Sequence, residues 1–296
     1  MIKESRKAAA APTPPRSVPT RRIDFGFGDV DLPRHFMNDD LVSSHLVAVL
    51  SCLFPEGEDF FVQSVRNYRD QITDPELREQ VKGFIGQEAI HGREHRQFND
   101  TLAELGYPVW YLDGRVRIGL GLLARIAPKA HQLALTAALE HYTATLAEIL
   151  LTTDFLEEEC DIAEVRQLFY WHALEEAEHK SVAYDVYMSA CGNERIRVNV
   201  MRVTQVMFNF AVLTGLVASL LGDPATRRRG RLRKSLAKVS KNPILSKEMR
   251  RRISSYKRHG FHPDDRDTSE LLECWTERLF GEKGQLSDRL KGPSAA

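Results

Sequence analysis

Cysteine is scarce in this 296-residue chain, which contains only Cys52, Cys160, Cys191 and Cys274, all far apart. Without a C-x-x-C pair, the sequence argues against a zinc knuckle and against a disulfide framework. Unpaired thiols suit a reducing cytoplasm. The chain also lacks G-x-x-x-x-G-K-[ST] and G-x-G-x-x-G, so neither of these phosphate-binding loops is present.

Net charge is absent as well, because 41 Lys and Arg balance 41 Asp and Glu. The overall charge therefore predicts no polyanionic partner. Apolar residues make up 43% of the chain, enough for a sizeable core, and the length favours one large domain or one domain with extensions. The first 20 residues are basic and rich in Ala and Pro but contain no apolar signal segment. We expect residues 1–35 to be a disordered tail and lead-in.

Period-two alternation is almost missing, whereas the helical period recurs over long stretches, so the sequence predicts an all-α protein. Four helices are predicted, with Pro55 kinking or restarting the first: Asp40–Tyr68, Asp74 to just before Gly106, about Pro128 to Thr153, and about Glu157 to Cys191. Short links follow the first and third helices, and a long link follows the second. Two helical hairpins with one long crossover indicate a ferritin-like four-helix bundle, here over residues 36–192.

The chain changes character after this bundle. Val203–Gly222 carries no charge and is just long enough to span a bilayer. However, five polar side chains make it a poor span: Thr204, Gln205, Asn209, Thr214 and Ser219. We expect residues 193–222 to form an apolar helix that packs on the bundle, lies in a homodimer interface or contacts a membrane.

A basic stretch follows, since Asp223–His259 contains 14 Lys and Arg but only Glu248 as a further acid. Residues 223–296 are expected to form a basic helical extension. A basic run beside an apolar segment is typical of contact with an anionic membrane surface, here through residues 203–259. Nucleic acid is disfavoured because the run lacks interleaved aromatic residues. The expected location is cytoplasmic, either free or peripheral to or anchored in the inner membrane.

Glu-x-x-His occurs twice, as Glu88–His91 and Glu176–His179. Two copies of so short a motif prove little, but each interrupts the middle of an apolar helical face that should point into the bundle. Glu58 interrupts the first helix in the same way, and Glu140 interrupts the third among small Ala and Thr residues.

Four carboxylates at one level of a core need a large positive charge, since burying an uncompensated carboxylate costs several kcal/mol. No Lys or Arg lies on these stripes. Two divalent cations would supply the charge, and one Glu from each of two helices plus one Glu-x-x-His from each of the others is the ligand set of ferritin-like di-metal sites. The predicted ligands are Glu58, Glu88, His91, Glu140, Glu176 and His179. Two iron ions are expected, with manganese or mixed Fe/Mn as alternatives and zinc less favoured.

Other ionisable residues lie on or beside these stripes. His95 and His172 could each be an extra ligand or a partner that orients one. Glu175 and His95 are the candidates for a catalytic base, although no catalytic residue is assigned. Glu175, Glu178 and His141 are expected to be solvated or interfacial.

Several stretches are distinctive: FPEGEDFF, FIGQEAIHGREHRQFN, ALEHYTA and WHALEEAEHKSVAYDVY. Over about residues 20–220 they resemble a bacterial family known as predicted metal-dependent hydrolases, which implies a metal site. The family looks like a relative of the ferritin-like di-iron oxygenases. In particular, His172-x3-Glu176-x2-His179 is similar to the fourth-helix motif of di-iron arylamine N-oxygenases, where the first histidine is an additional iron ligand. His95 and the C-terminal extension have no counterpart.

The leading functional prediction is a di-iron oxidase or oxygenase that uses O2 on a small organic or lipid-like substrate, with the small-residue face of the third helix lining the pocket. A metal-dependent hydrolase that uses a metal-bound hydroxide is the alternative. A non-catalytic iron-binding bundle is the third.

Overall fold

The computed structural model describes residues 17–239 and 242–291. These residues form α-helices, short 3-10 turns and an isolated antiparallel β-bridge between Ile23 and Leu290, so the all-α prediction is confirmed. The helices are α1 (Leu41–Arg66), α2 (Pro75–Glu104), α3 (Val109–Ile126), α4 (Lys129–Leu151), α5 (Phe155–Glu159), α6 (Ala163–His179), α7 (Val182–Ala190), α8 (Glu194–Leu221), α9 (Arg231–Val239), α10 (Lys247–Ser255) and α11 (Ser269–Phe280).

The four predicted helices correspond to α1, α2, α4 and the pair α6 and α7. Helix α1 packs along α2, and α4 packs along α6 and α7. Asp40 and Asp74 accept hydrogen bonds from the backbone at the starts of α1 and α2, and Pro75 follows as the first residue of α2. Pro55 lies inside α1 without ending it. Two antiparallel hairpins joined by a crossover are compatible with the ferritin-like arrangement.

Two features differ from the sequence-based expectation. The long link contains α3, whose three glycines weaken its helical signal but whose Leu112 is buried against α1. The predicted fourth helix breaks at Lys180 and Ser181. There the Lys180 ammonium donates to the Arg266 carbonyl and the Thr268 hydroxyl, at 2.7 and 3.1 Å, so the break holds the C-terminal extension against the bundle.

The N-terminal segment packs on the bundle where the structure describes it; residues 1–16 lie outside the described part. Ile23, Phe25 and Phe27 are buried, so they belong to the core rather than to the disordered lead-in expected over residues 1–35. The segment also lies directly on α2, because a Cβ on Gly83 or Gly86 would overlap its atoms. Alternating apolar side chains explain this docking, since they bury one face of an extended segment.

Helix α8 has one face on α1 and α4 and another in solvent. Met201, Gly215 and Ser219 are buried, whereas Val206 and Phe210 are exposed. Among the described residues, α8 is the one helix long and apolar enough to cross a membrane, and only 17% of its most apolar window is buried. The basic extension contains α9, α10 and α11.

Candidate metal centre

The six predicted ligands converge in the middle of the bundle, together with His172. All seven are buried: Glu58 on α1, Glu88 and His91 on α2, Glu140 on α4, and His172, Glu176 and His179 on α6. Six of the seven, all except Glu140, form two groups of three, each with ligand atoms within 4.8 Å of one another.

The first group contains Glu58, His91 and His172. His172 Nε2 lies 3.8 Å from Glu58 Oε1 and 2.9 Å from Glu176 Oε1. His91 Nδ1 lies 3.7 Å from the same Glu176 oxygen. A cation between these atoms would have two imidazole nitrogens and two carboxylates as ligands.

The second group contains Glu88, Glu176 and His179, with Glu140 beside them. His179 Nε2 lies 3.1 Å from Glu88 Oε1, 3.3 Å from Glu140 Oε2 and 3.5 Å from Glu176 Oε2. Glu176 therefore presents one oxygen to each group. A carboxylate in this position can bridge two metal ions.

Several buried polar atoms in this cluster have no hydrogen-bond partner, and these unpaired atoms belong to the predicted ligands. Buried atoms without a hydrogen-bond partner include both carboxylate oxygens of Glu58, Glu88 and Glu140, Glu176 Oε2, His91 Nδ1 and His179 Nε2. Buried polar atoms are rarely left unpaired, because each one costs free energy. Oxygen and imidazole nitrogen atoms facing one another across short gaps fit two divalent cations.

The pKa values of the buried carboxylates also favour bound cations. Burial raises the pKa of Glu58 and Glu88 well above the ordinary range, and neighbouring carboxylates raise it further. Burial also raises the pKa of Glu140, to about 7. Burial alone would raise the pKa of Glu176 too, but the neighbouring His179 and His172 have the larger combined effect and lower this pKa. Without cations the group as a whole would retain protons, which bound metal ions would replace.

His172 is oriented by a chain of hydrogen bonds that runs through His95 and Ser51 to the side-chain amide of Asn99. Ser51 Oγ donates to Asn99 Oδ1 at 2.7 Å, so it must accept from His95 Nδ1 at 2.9 Å. The His95 Nε2 lone pair then accepts from His172 Nδ1 at 2.6 Å. His172 Nε2 is left with a lone pair facing the Glu58 and Glu176 carboxylates, a repulsive arrangement that a cation between them would resolve.

His95 therefore has both nitrogens engaged away from the two groups, an arrangement that fits an orienting partner better than an extra ligand. Because both ring nitrogens of His95 are hydrogen-bonded, neither is free to act as the catalytic base considered from the sequence.

The other two histidines are also held at the nitrogen that points away from the groups. His91 Nε2 lies 3.0 Å from Glu175 Oε2, and His179 Nδ1 lies 2.8 Å from Gln87 Oε1. Such partners fix the ring orientation of metal-binding histidines. Gln87 in turn donates to Glu178 at 2.9 Å.

Arg21 completes this outer network from the N-terminal segment. Its guanidinium contacts Glu175 at 3.0 Å and Glu178 at 2.6 Å. The expectation that Glu175 and Glu178 are solvated or interfacial is wrong: both are buried, where Arg21 compensates their charge and the Gln87 amide donates a hydrogen bond to Glu178. Burial raises the pKa of Glu175 to about 7 against the lowering effect of Arg21.

His141 agrees better with the expectation. It is half-buried at the interface with the C-terminal extension, where its Nε2 lies 2.9 Å from the Arg252 carbonyl oxygen.

Sequence patterns did not single out Arg21, Ser51 or Gln87 as site residues. Ser51 and Gln87 are uncharged and common, and Arg21 lies in a segment assigned to the tail. The available signal for Arg21 was the alternation of Ile23, Phe25 and Phe27 directly after it, which is typical of a docked segment.

A cavity of about 730 Å³ borders the site between α1, α3, α4 and α8. Its lining is mostly aliphatic and aromatic. Of the small residues on α4 that were expected to line a pocket, Thr143 is part of this wall, whereas Ala137 is buried in the bundle core.

Comparison with known proteins identifies the family. Residues 19–267 match the family described as "Predicted metal-dependent hydrolase", so the chain belongs to that family. No curated protein and no solved structure gives a significant match.

Proposed function

We propose that this member of the predicted metal-dependent hydrolase family is a dinuclear metal enzyme that uses O2 to oxidise a small organic or lipid-like substrate. Iron is the proposed native metal, with manganese or a mixed pair as alternatives. The unpartnered, buried ligand atoms of four glutamates and two histidines are the observation that carries this proposal. When bound, iron would supply the redox chemistry with O2, and hard carboxylate oxygens favour its oxidised state.

The residues around the ligands support this role by fixing them and excluding water. Each of His91, His172 and His179 is held by a hydrogen bond at the nitrogen facing away from the groups. All seven candidate ligands are almost inaccessible to solvent. Phe54 contributes to this exclusion, since its ring lies 4.7 Å from the His172 ring and also lines the neighbouring cavity.

The apolar cavity favours oxidation over hydrolysis. A hydrolase must hold a polar ester, amide or phosphate and stabilise the negative charge that develops on it. The cavity wall near the ligands is instead made of Phe54, Phe61, Leu139 and similar side chains. Such a wall suits a substrate that reacts at carbon.

Oxygen-reaction spectroscopy tests this proposal. Protein reconstituted with Fe(II) under argon should develop an absorbance change on exposure to O2, with Mössbauer signals of a coupled ferric pair. Glu176→Ala should abolish both signals, because Glu176 faces both groups, whereas the exposed Glu79→Ala should change neither. An iron-loaded wild-type protein that gives no O2-dependent signal would refute the oxidative function.

Hydrolysis is the second candidate, favoured by the family description. Glu175 is its candidate base, since its pKa is raised to about 7. However, its oxygens contact Arg21 and His91, which favours the role of holding His91. Turnover of an ester or amide by the zinc- or manganese-loaded protein under argon would favour hydrolysis over oxidation.

A non-catalytic iron-binding bundle is the third candidate. It would be supported by a multi-subunit cage that accumulates iron far beyond two ions per chain. Size-exclusion chromatography with light scattering and iron analysis distinguishes it from the enzyme.

We further propose that the exposed apolar faces of α3 and α8 contact an anionic membrane surface. Trp110 and Ile118 on α3 are exposed, as are Val206, Phe210 and Leu221 on α8. A basic cluster follows the end of α8, made up of Arg227, Arg228, Arg229, Arg233 and Lys234, all exposed and outside the ion pairs of the described residues. Apolar surface beside unpaired cations matches an interface between acyl chains and anionic headgroups.

Vesicle flotation tests this contact. The protein should float with phosphatidylcholine vesicles that contain phosphatidylglycerol, less with pure phosphatidylcholine, and less at high salt. Phe210→Glu should weaken flotation, whereas Thr73→Glu, on an exposed loop away from α8, should not. A stable dimer in solution that hides α8 and fails to float would contradict membrane contact and support the homodimer.

A further inference from the structure

Arg115 is a cation without an anion in the cleft between α3 and α8. Its Nη2 donates to the Thr214 hydroxyl at 2.7 Å and to the Ala211 carbonyl at 3.2 Å. Its Nη1 is buried and has no hydrogen-bond partner, and no carboxylate among the described residues pairs with it. A partly buried guanidinium with a free N–H group is costly unless an anion binds there.

The neighbouring cavity is long and apolar. Arg115 lies in its wall together with residues of α8 from Ile196 to Ala211. These 15 helical steps correspond to about 22 Å at about 1.5 Å per residue. The volume of about 730 Å³ lies within the range of small-molecule sites. The shape fits an extended chain rather than a compact molecule.

The cavity wall also adjoins the candidate metal centre. Phe54 and Phe61 line the cavity and lie on the same face of α1 as Glu58. On α4, Thr143 lines the cavity one turn after Glu140. A chain lying in the cavity would therefore run along the helix faces that carry Glu58 and Glu140, separated from these carboxylates by the side chains of the wall.

Exposed apolar residues continue beyond the cavity on both helices. Met207 and Val203 lie in the wall and are 57% and 62% exposed, so they connect the cavity to the surface. On α3, Ile118 and Leu122 are exposed beside Gly119 and Leu123 of the wall. An amphiphile could enter here along a continuous path of apolar side chains.

We propose that this cavity binds a long-chain carboxylate, with the carboxylate on Arg115 and the alkyl chain extended past Phe54. The proposal names the substrate class of the oxidative enzyme and rests on the proposed function for that role. Binding itself requires only the apolar wall and the guanidinium, so it is measurable without metal.

Calorimetric titration with dodecanoate and with 1-dodecanol tests the head-group contact. The wild-type chain should bind dodecanoate more tightly than the alcohol. Arg115→Gln should weaken dodecanoate binding about tenfold or more, because it removes a charge-assisted hydrogen bond, and should leave alcohol binding unchanged. The matched control is Arg117→Gln, since Arg117 is exposed, lies outside the cavity wall and pairs with Asp113 at 3.8 Å. Equal dodecanoate affinity in the two variants would overturn the assignment of Arg115.

A second pair of variants tests the cavity independently of Arg115. Val200 lies in the wall, whereas Val206, on the same helix, is exposed and outside it. Val200→Trp should fill the cavity and weaken both dodecanoate and dodecanol binding, while Val206→Trp should weaken neither. Failure of wild-type protein to bind dodecanoate, or equal binding by both tryptophan variants, would overturn the proposal.

The outcomes are separable from those of the proposed function. Glu88→Ala/Glu176→Ala should lose metal but still bind dodecanoate. Metal binding and O2 reactivity without dodecanoate binding would overturn the substrate class alone. Dodecanoate binding by a chain whose iron does not react with O2 would support the cavity and refute the oxidative function.

Discussion

His95 Nε2 lies 2.6 Å from His172 Nδ1, and this contact determines which His172 nitrogen faces the candidate metal centre. Ser51 fixes the direction of the hydrogen bonds by donating to Asn99. The His172 Nε2 lone pair is therefore directed at carboxylates, where either a retained proton or a bound metal ion makes the contact favourable.

Replacing His95 by Phe should lower metal affinity at the first group about 10- to 100-fold, as is typical when the partner of a metal-binding histidine is lost. The physical reason is that His172 can then rotate or change tautomer. Competition titration with a chromogenic chelator measures the effect. The exposed His131→Gln is the control, and unchanged affinity in His95→Phe would show that His172 does not need this partner.

Arg21→Met should destabilise the fold by about 3–5 kcal/mol, because it leaves Glu175 and Glu178 buried without their cation. Urea unfolding of metal-free protein gives the free energy of unfolding. Arg22→Met is the matched control, since Arg22 is exposed. A loss no larger than that of the control would mean that the buried carboxylates are neutral.

Gly86→Val should act through the same network. A Cβ at this position would overlap the Thr20 side chain, so Thr20 must shift away from α2, and we expect the adjacent Arg21 to be displaced with it. The free energy of unfolding should fall, and the loss in the Gly86→Val/Arg21→Met double variant should be clearly smaller than the sum of the single losses. Gly119→Val is the control because a Cβ there meets nothing within 4 Å. Additive losses would show that the two positions act separately.

The free energy of unfolding should also fall when the pH is lowered, because His45 is held in its neutral form in the folded protein. Burial lowers the pKa of His45 despite its contact with Asp223 at 3.0 Å, and His35 and Arg34 lower it further; Ser219 and the Tyr107 ring complete its surroundings.

The unfolded chain therefore takes up this proton first, so the contribution is complete above about pH 6.5 and declines as pH falls below that value. The free energy of unfolding between pH 7.5 and 5 should drop less in His45→Gln than in wild type. An identical slope would exclude His45 as the source.

His45, His35 and Asp223 form a third group with the geometry of metal ligands. The Asp223 carboxylate already contacts the Arg34 guanidinium at 3.0 Å, so its charge is balanced without a metal ion. This distinguishes it from the two groups in the bundle, which contain no Arg or Lys.

The sequence predicted the helices that carry the site because the apolar faces around Glu58, Glu88, Glu140 and Glu176 extend over many turns. Helical spacing then places each carboxylate inside, and the structure brings all four together with His91 and His179. Such an inference needs only local periodicity, which α1, α2 and α4 retain throughout.

Contacts between distant segments could not be predicted in this way. Arg21 lies 154 residues before Glu175, and no local pattern connects them. The role of His95 depends on Ser51 in another helix, so spacing alone left it open as a ligand or a partner. Helix α3 was not predicted because Gly114, Gly119 and Gly121 lower its helical propensity. Packing against α1 stabilises the helix despite these glycines.

Metal analysis of the chain and of Glu88→Ala/Glu176→Ala tests the central claim most directly. Purified protein reconstituted with Fe(II) should hold two ions per chain by mass spectrometry of the intact protein. The double variant should hold none or one weakly bound ion, and a control with two exposed substitutions, Glu79→Ala/Glu273→Ala, should keep both. Two tightly bound ions in Glu88→Ala/Glu176→Ala would contradict a metal centre built from these carboxylates.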